Sequence, residues 1–229
     1  MKSSITIGIT DCDKFDNYKN WLETEPNVKV IHLSADKNNL DDMNLCDGII
    51  LSGGEDVHPK YYNKLEYLQD CHVNDARDAF EWRVLEQVQK ERLPLLGICR
   101  GLQITNVFFG GTLIPDIPKS GKPDHSKFPD KDRYHPIIVN EGSLLAKATE
   151  SVKGEINSSH HQCADAIGQG LIANSFSEDG IVEGIERVKS EGFPYLLLVQ
   201  WHPERMTDPK SAFSKNIKKS FLEGVRNNR

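Results

Sequence analysis

A single cysteine stands between two glycines at the point where an apolar strand pattern changes into a helical one. Residues 95–103 read Leu-Leu-Gly-Ile-Cys-Arg-Gly-Leu-Gln, which places Gly97 and Gly101 on either side of Cys99. Glycine lacks a Cβ, so the chain can turn sharply there and strand and helix can approach closely. Such a strand–turn–helix unit is a nucleophile elbow, in which the central side chain points out of the fold. The pattern therefore predicts an α/β fold with Cys99 at the edge of its sheet.

Cys99 is also predicted to lie at the N-terminus of the helix that follows the turn. Free N–H groups and the helix dipole stabilise a thiolate at such a position, which favours acyl transfer through a thioester. The alternative is a small buried cysteine with a packing role, which is common among free cysteines. A packing cysteine does not need glycine at both of these offsets, so the catalytic interpretation is favoured.

Strand-like and helix-like patterns alternate along the chain. A helical period begins at a capping Asn74 and covers Asn74–Arg92, and a second helix is predicted over Pro209–Val225. This alternation favours a three-layer α/β fold, with a mostly parallel central sheet and helices on both faces. Residues 115–134 are expected to form a long surface loop, and no linker divides the single domain 1–229. The candidate strands are Ile5–Thr10, Val28–Leu33, Gly48–Ser52, Leu95–Ile98, His135–Asn140, Gly154–Ser158, Leu171–Ser175, Gly180–Glu186 and Tyr195–Trp201.

Composition excludes several classes of protein. The 229 residues are 38% hydrophobic and carry a net charge of −6, which is enough for a core and gives no basic footprint for nucleic acid. No apolar run reaches the ~20 residues of a membrane span, and the N-terminus lacks the apolar core of a signal peptide. The five cysteines are odd in number and scattered, which favours reduced thiols and a cytoplasmic protein.

A cysteine nucleophile needs a base, and the base needs a group that orients it. The strand that ends in Val199-Gln200-Trp201 is followed by His202-Pro203-Glu204. Pro203 cannot continue a sheet ladder, so His202 is expected at the carboxyl end of the strand, where catalytic groups gather in open α/β sheets. Glu204 is close enough in sequence to hold the imidazole in one tautomer. An ordinary polar residue at a strand end is the alternative for His202, and the cysteine elbow makes it the weaker one.

Acyl transfer also needs an oxyanion hole. In an elbow, one donor is the backbone N–H after the nucleophile, here that of Arg100. The apolar strand before Ser52-Gly53-Gly54 ends in a glycine pair, which lets a second backbone N–H approach a small carbonyl oxygen. The alternative is an ordinary turn at a strand end, which would be preferred if the cysteine elbow were absent.

The order of a glycine-pair turn, a G-x-C-x-G-x-Q elbow and His-Pro-Glu resembles the class I, triad-type glutamine amidotransferase superfamily, which has a flavodoxin-like fold. Further details resemble its gamma-glutamyl hydrolase and gamma-glutamyl-gamma-aminobutyrate hydrolase-like branch. Glu55-Asp56 follows the glycine pair, where true amidotransferases tend to have proline. The segment Cys12–Asp47 departs from this branch, because it is compressed and polar by comparison, and it is expected to shape the mouth of the pocket. The segments that carry the resemblance to this branch are Gly53–Pro59, Arg77-Asp78 with Glu81, Cys99–Gln103 and Asn157–Gln162.

This resemblance implies a role for each candidate residue. Cys99 would be the nucleophile, His202 the general base and acid, and Glu204 its orienting group. The N–H groups of Gly54 and Arg100 would form the oxyanion hole. Four further residues would line the substrate pocket, namely Gly53, Gln103, His160 and His161.

The resemblance implies a hydrolase of small gamma-glutamyl amides, with a homodimer as a possible assembly. His160, His161 and Cys163 could suggest a metal site, and so could Cys71-His72. No second cluster has ligand spacing, however, and tightly bound zinc would inactivate a thiolate nucleophile, so neither a metal nor a cofactor is expected. One alternative function is a glutaminase subunit that supplies ammonia to a separate synthetase. Another is a non-catalytic protein with a redox-sensing cysteine, against which the His-Pro-Glu segment argues.

Overall fold

The computed structural model describes residues 4–189 and 191–229. Its strands are β1 (Ile5–Thr10), β2 (Val28–Leu33), β3 (Gly48–Leu51), β4 (Leu95–Ile98), β5 (Leu113–Ile114), β6 (Arg133–Val139), β7 (Lys153–Ser158), β8 (Cys163–Ala164), β9 (Leu171–Ser177), β10 (Val182–Arg187) and β11 (Leu196–Val199). Its α-helices are α1 (Phe15–Glu23), α2 (Asp75–Lys90), α3 (Arg100–Phe108), α4 (Leu144–Thr149) and α5 (Ile217–Asn227).

In the part of the chain that the structure describes, the central sheet has nine strands in the order β2-β1-β3-β4-β11-β10-β9-β6-β7. Adjacent strands from β2 to β11 are parallel, and those from β11 to β7 pair antiparallel. Seven of these nine strands therefore run in the same direction, as predicted, and β10 and β6 run in the opposite direction. The strands β5 and β8 form a separate two-stranded ribbon.

Two hydrophobic layers cover the two faces of this sheet. Successive residues of a strand point to opposite faces, so Ile50 packs in one layer and its neighbours Ile49 and Leu51 pack in the other. Helices α1, α4 and α5 contribute to the first layer, and α2 and α3 contribute to the second. The predicted three-layer arrangement is confirmed.

The sequence predicts the start of helix α2 correctly, but it does not predict the start of the last helix or the presence of two others. Helix α2 begins one residue after Asn74, whose side chain accepts the backbone N–H of Arg77 at 3.1 Å, as the capping pattern predicts. The last helix was predicted to begin at Pro209, but a π-helical turn at Ala212–Asn216 comes before α5. Helices α1 and α4 were not predicted from the sequence. Among the described residues, no helix combines the length and apolar character needed to cross a membrane.

Candidate active site

Cys99 occupies a strained turn between β4 and α3. Its backbone has φ 53° and ψ −106°, which is unusual for a residue with a side chain and is typical of functional turns. A Cβ on Gly97 would lie 2.8 Å from the carbonyl oxygen of Gly101, and one on Gly101 would collide with the carbonyl of Leu51. Both glycines are therefore required by close backbone approach, as the elbow pattern predicts.

His202 follows β11 and lies next to Cys99 across the end of the parallel strands. Its Nδ1 bonds the buried carboxylate of Glu204 at 2.8 Å, and its backbone N–H donates to Asn157 Oδ1 at 3.1 Å. Burial disfavours charge on the imidazole, but the negative charges of Glu204 and of a Cys99 thiolate outweigh it and raise the pKa of His202 to about 9. The imidazole is consequently protonated at neutral pH.

The turn after β3 presses against both of these side chains. A Cβ on Gly53 would lie 2.7 Å from Cε1 of His202 and 3.5 Å from Cβ of Cys99. The backbone N–H of Gly53 donates to the Tyr18 hydroxyl at 2.9 Å, and Gly54 has φ +141°, a conformation that favours glycine. The turn therefore lies so close to His202 and Cys99 that a residue larger than glycine does not fit at position 53.

The amides of Gly54 and Arg100 have no protein acceptor among the bonds of the described residues. Gly54 is partly open to the cavity, and Arg100 is the first residue of α3, where helix N–H groups lack intrahelical partners. Both amides can therefore donate to a bound carbonyl oxygen.

A buried ion cluster holds the glycine turn and the elbow together. The side chain of Arg100 turns away from the cavity and pairs with Asp78 and Glu81, all three fully or almost fully buried. Glu81 also binds Nε of Arg77 at 2.9 Å, and Arg77 donates from Nη2 to the Gly53 carbonyl at 2.8 Å. The cluster thereby connects the turn after β3 with the first residue of α3.

Arg77 also pairs with Glu55, the residue that follows the glycine pair. Burial alone would raise the pKa of this carboxyl, but its own backbone N–H and the Arg77 charge lower it to about 2. Glu55 is therefore ionised at the cavity wall, which gives a structural reason for an acidic residue at this position.

A cavity of about 470 Å³ lies above Cys99. Of the residues predicted for the site, Gly53, Gly54, Cys99, His161, His202 and Glu204 line it. His161 is held there by Asp56, with 2.9 Å between Nε2 and the carboxylate. Several further lining residues were not predicted from the sequence. Among them, Lys14 precedes α1, Tyr18 lies on α1, and Arg205 follows Glu204.

Two predicted pocket residues, Gln103 and His160, do not line this cavity. The amide of Gln103 donates to the Gln162 carbonyl at 3.0 Å, so it is used inside the fold. The ring of His160 is buried on the other side of the chain from His161 and faces His125 and Glu183. The expectation that both line the substrate pocket is corrected accordingly.

The loop 115–134 borders a second cavity, of about 680 Å³, at residues 127–132. This cavity shares Lys14 and Arg205 with the first but does not reach Cys99. Arg205 binds Asp132 at 3.1 Å, and the positive charge of Arg205, together with burial, lowers the pKa of Lys14. The cationic side chains of Lys14 and Arg205 therefore line both cavities where the two adjoin.

The model of one protein family, Peptidase C26, matches residues 25–204. The glutamine amidotransferase-like protein YvdE of Lactococcus lactis is 36% identical over 223 residues, 96% of this chain and 83% of that protein. Gamma-glutamyl-gamma-aminobutyrate hydrolase PuuD of Escherichia coli is 30% identical over 185 residues, covering 77% of this chain and 70% of PuuD.

Solved structures agree at the level of the fold. The glutaminase domain of Trypanosoma brucei CTPS, with bound acivicin, has a TM-score of 0.68 and 13% identity, covering 98% of this chain and 94% of that one. A glutamine amidotransferase from Methylobacillus flagellatus has a TM-score of 0.65 and 13% identity, over 97% and 95% of the two chains. The fold is therefore that of the class I glutamine amidotransferases, and the chain belongs to the Peptidase C26 family.

Proposed function

We propose that this chain hydrolyses the gamma-glutamyl amide bond of small gamma-glutamyl compounds and releases glutamate. The observation that carries the proposal is the arrangement around Cys99. A cysteine on a strained elbow lies beside a histidine, that histidine binds a buried carboxylate at 2.8 Å, and two unpaired amides flank the cysteine. This is the set of groups that acyl transfer through a thioester needs.

The mechanism follows from these positions. The Cys99 thiolate attacks the gamma-carbonyl carbon, and the oxygen that becomes negative accepts hydrogen bonds from the amides of Gly54 and Arg100. His202 gives its proton to the departing nitrogen, the C–N bond breaks, and a thioester with the glutamyl group remains. Water then attacks the thioester while His202 takes its proton, and the thiolate leaves as glutamate forms.

The charge state of His202 suits the first of these steps. With a pKa of about 9, the imidazolium holds the proton that the leaving amine needs at neutral pH. Glu204 keeps Nδ1 bonded, so the other ring nitrogen is the one available for proton transfer toward substrate.

The cavity supports a leaving amine larger than ammonia. About 470 Å³ lies above Cys99, and Lys14 and Arg205 stand at the boundary with the second cavity. These cations favour an amine that carries its own carboxylate, such as gamma-aminobutyrate or an amino acid. The relative PuuD, which is a gamma-glutamyl-gamma-aminobutyrate hydrolase, is consistent with this proposal.

The test is a comparison of kcat/KM on one preparation of the isolated chain. The substrates are gamma-glutamyl-gamma-aminobutyrate, gamma-glutamyl amides of uncharged amines, gamma-glutamyl peptides and glutamine. We expect the carboxylate-bearing amides to be hydrolysed at least about ten-fold better than glutamine, because contacts to the leaving amine add transition-state binding. Cys99→Ala should abolish turnover, whereas Cys163→Ala, which alters a fully buried cysteine outside the cavity, should keep it.

A glutaminase subunit is the second candidate. It is favoured by the amidotransferase-like relative YvdE and by the amidotransferase folds of the structural neighbours. Glutamine as the best substrate, with a rate that rises when a partner synthetase is added, would reject the hydrolase proposal in favour of this one.

A further inference from the structure

Three buried side chains and one half-buried one, that of His135, converge away from Cys99, in the antiparallel half of the sheet. They are His125 from the long loop, His135 from β6, His160 after β7, and Glu183 from β10. One ligand atom from each lies within 4.8 Å of all the others. Oε1 of Glu183 is 3.4 Å from Nδ1 of His125, 3.5 Å from Nε2 of His135 and 3.7 Å from Nε2 of His160.

The outer nitrogen of each imidazole meets a group that can only accept a hydrogen bond. Nε2 of His125 lies 3.1 Å from the Asp179 carboxylate. Nδ1 of His135 lies 3.0 Å from the Pro136 carbonyl, and Nδ1 of His160 lies 3.0 Å from the Gln162 carbonyl. Each outer nitrogen must therefore carry the hydrogen, which leaves the inner nitrogen of a neutral ring as a lone pair. Metal-binding histidines show this same outer contact.

The inner atoms have no hydrogen-bond partner within residues 4–189 and 191–229. This holds for Nδ1 of His125, Nε2 of His135 and His160, and both oxygens of Glu183. Glu183 is fully buried, and His125 and His160 are 5% and 4% exposed. An unsatisfied buried polar atom destabilises the folded state, and an unpaired buried carboxylate destabilises it more.

A proton does not satisfy this cluster. If Glu183 were protonated, its single O–H could reach one of the three imidazole nitrogens, and the other two would stay unpaired. Protonating the rings as well would put several cations into a buried space that holds one carboxylate. A single divalent cation satisfies all four inward-facing atoms at once.

The spacing fits a tetrahedral metal. With zinc bonds of about 2.0–2.1 Å to nitrogen and oxygen, the corners of a tetrahedron lie roughly 3.3–3.4 Å apart. The distances from Glu183 to the three nitrogens, 3.4–3.7 Å, are slightly longer than that edge. Three imidazoles and one carboxylate are ligands that suit zinc, and four protein ligands are typical of a closed structural site.

We propose that His125, His135, His160 and Glu183 bind one Zn²⁺ ion, which fixes the loop 115–134 to the sheet. The segment of His160 is already joined to this loop, because Ser158 Oγ and the His160 N–H both donate to the His125 carbonyl, at 2.7 and 3.2 Å. The neighbours of His160, Ser159 and His161, line the cavity above Cys99. The metal therefore holds in place the segment that forms one wall of that cavity, and the metal itself does not contact substrate.

The experiment measures metal in the full chain, purified without chelator and after removal of any affinity tag. Elemental analysis is expected to find about one zinc per chain. Extraction with a chelator should lower the Tm, and added Zn²⁺ should restore it, because a ligand that binds only the folded state stabilises it. Reconstitution with Co²⁺ should give the intense visible absorption of a tetrahedral site.

Two variants test the ligands, and a third serves as a control. His135→Gln and Glu183→Gln should each weaken zinc binding at least about ten-fold, measured by competition with a chromophoric chelator. The control is His32→Gln, which removes a histidine paired with Asp11 at 2.6 Å on another part of the surface, and it should bind zinc as the wild type does.

The wild-type measurements decide the proposal even if both variants fail to fold. A wild-type chain that melts cooperatively but takes up neither Zn²⁺ nor Co²⁺ would overturn it. Equal zinc affinity in the wild type and in folded His135→Gln and Glu183→Gln would overturn it as well.

Discussion

Replacing Glu204 by glutamine should move the alkaline limb of the activity profile toward neutral pH. The pKa of His202 is raised from its ordinary value of 6.5 to about 9, and Glu204 is the strongest of the charges that raise it. That difference corresponds to about 3 kcal/mol of preference for the imidazolium. Glutamine keeps a hydrogen-bond acceptor near Nδ1 but removes the negative charge, so burial then opposes protonation more effectively.

The magnitude follows from this difference. Because a Cys99 thiolate supplies part of the stabilisation, the loss of Glu204 should lower the pKa of His202 by less than the full difference, about one to two pH units. The protonated fraction of His202, and with it kcat/KM, should then fall about 2–10-fold near pH 8 and about 10–100-fold well above pH 9. Removal of the orienting carboxylate costs up to ~10⁴-fold in serine proteases, and a thiol needs less help to ionise than a serine. His202→Ala should therefore lose more activity than Glu204→Gln.

The assay is kcat/KM for one gamma-glutamyl amide between pH 5 and 10. The direction of the change of kcat/KM with pH follows from the mechanism, in which the imidazolium protonates the leaving amine. Wild-type activity should fall as pH rises through about 9, and the Glu204→Gln limb should lie at least about one pH unit lower. Glu223→Gln, an exposed change on α5, is the control and should leave the profile unchanged. Superimposable profiles for Glu204→Gln and the wild type would show that Glu204 does not tune His202.

Two further substitutions test how the site is built. Gly53→Ala would place a methyl group 2.7 Å from Cε1 of His202, so we expect kcat/KM to fall by about 100-fold with little change in Tm, and near-normal activity would refute the close contact. Glu81→Gln removes a fully buried charge between two arginines, and urea denaturation should show a loss of about 3–5 kcal/mol, whereas a loss below ~1 kcal/mol would mean that the cluster is not important for stability.

The parallel half of the sheet could be predicted from the sequence because its signals are local. Strands β1, β2, β3 and β4 are short apolar runs, and the elbow is specified by two glycines within five residues. Helix α1 was not predicted although Phe15, Tyr18, Trp21 and Leu22 recur at helical spacing, because it has only 9 residues and no side chain caps it. A helix this short depends on packing, and Tyr18, Trp21 and Leu22 supply it by packing in the layer against the sheet.

The residues of the candidate site also fall into two groups, those that local sequence signals predict and those that only the tertiary structure brings together. Cys99, His202 and Glu204 follow strand ends that are recognisable in the sequence, and the structure brings them together. His160 was misplaced because alternate residues of the segment after β7 face different sides of the chain. Ser159 and His161 line the cavity, whereas His160 faces Glu183. The four proposed zinc ligands are separated by 10, 25 and 23 residues along the chain, which matches no metal motif. Only the antiparallel strand order places them together.

The two halves of the sheet contribute different parts of the candidate mechanism. The parallel half fixes the nucleophile and both amides through the buried ion cluster around Glu81. The antiparallel half fixes the base, because Asn157 at the end of β7 accepts the backbone N–H of His202 and donates to Asp132 of the long loop at 2.9 Å. A change in that loop can therefore reach His202 through Asn157 while the elbow stays in place, so proton transfer and nucleophilic attack can be altered separately by mutation.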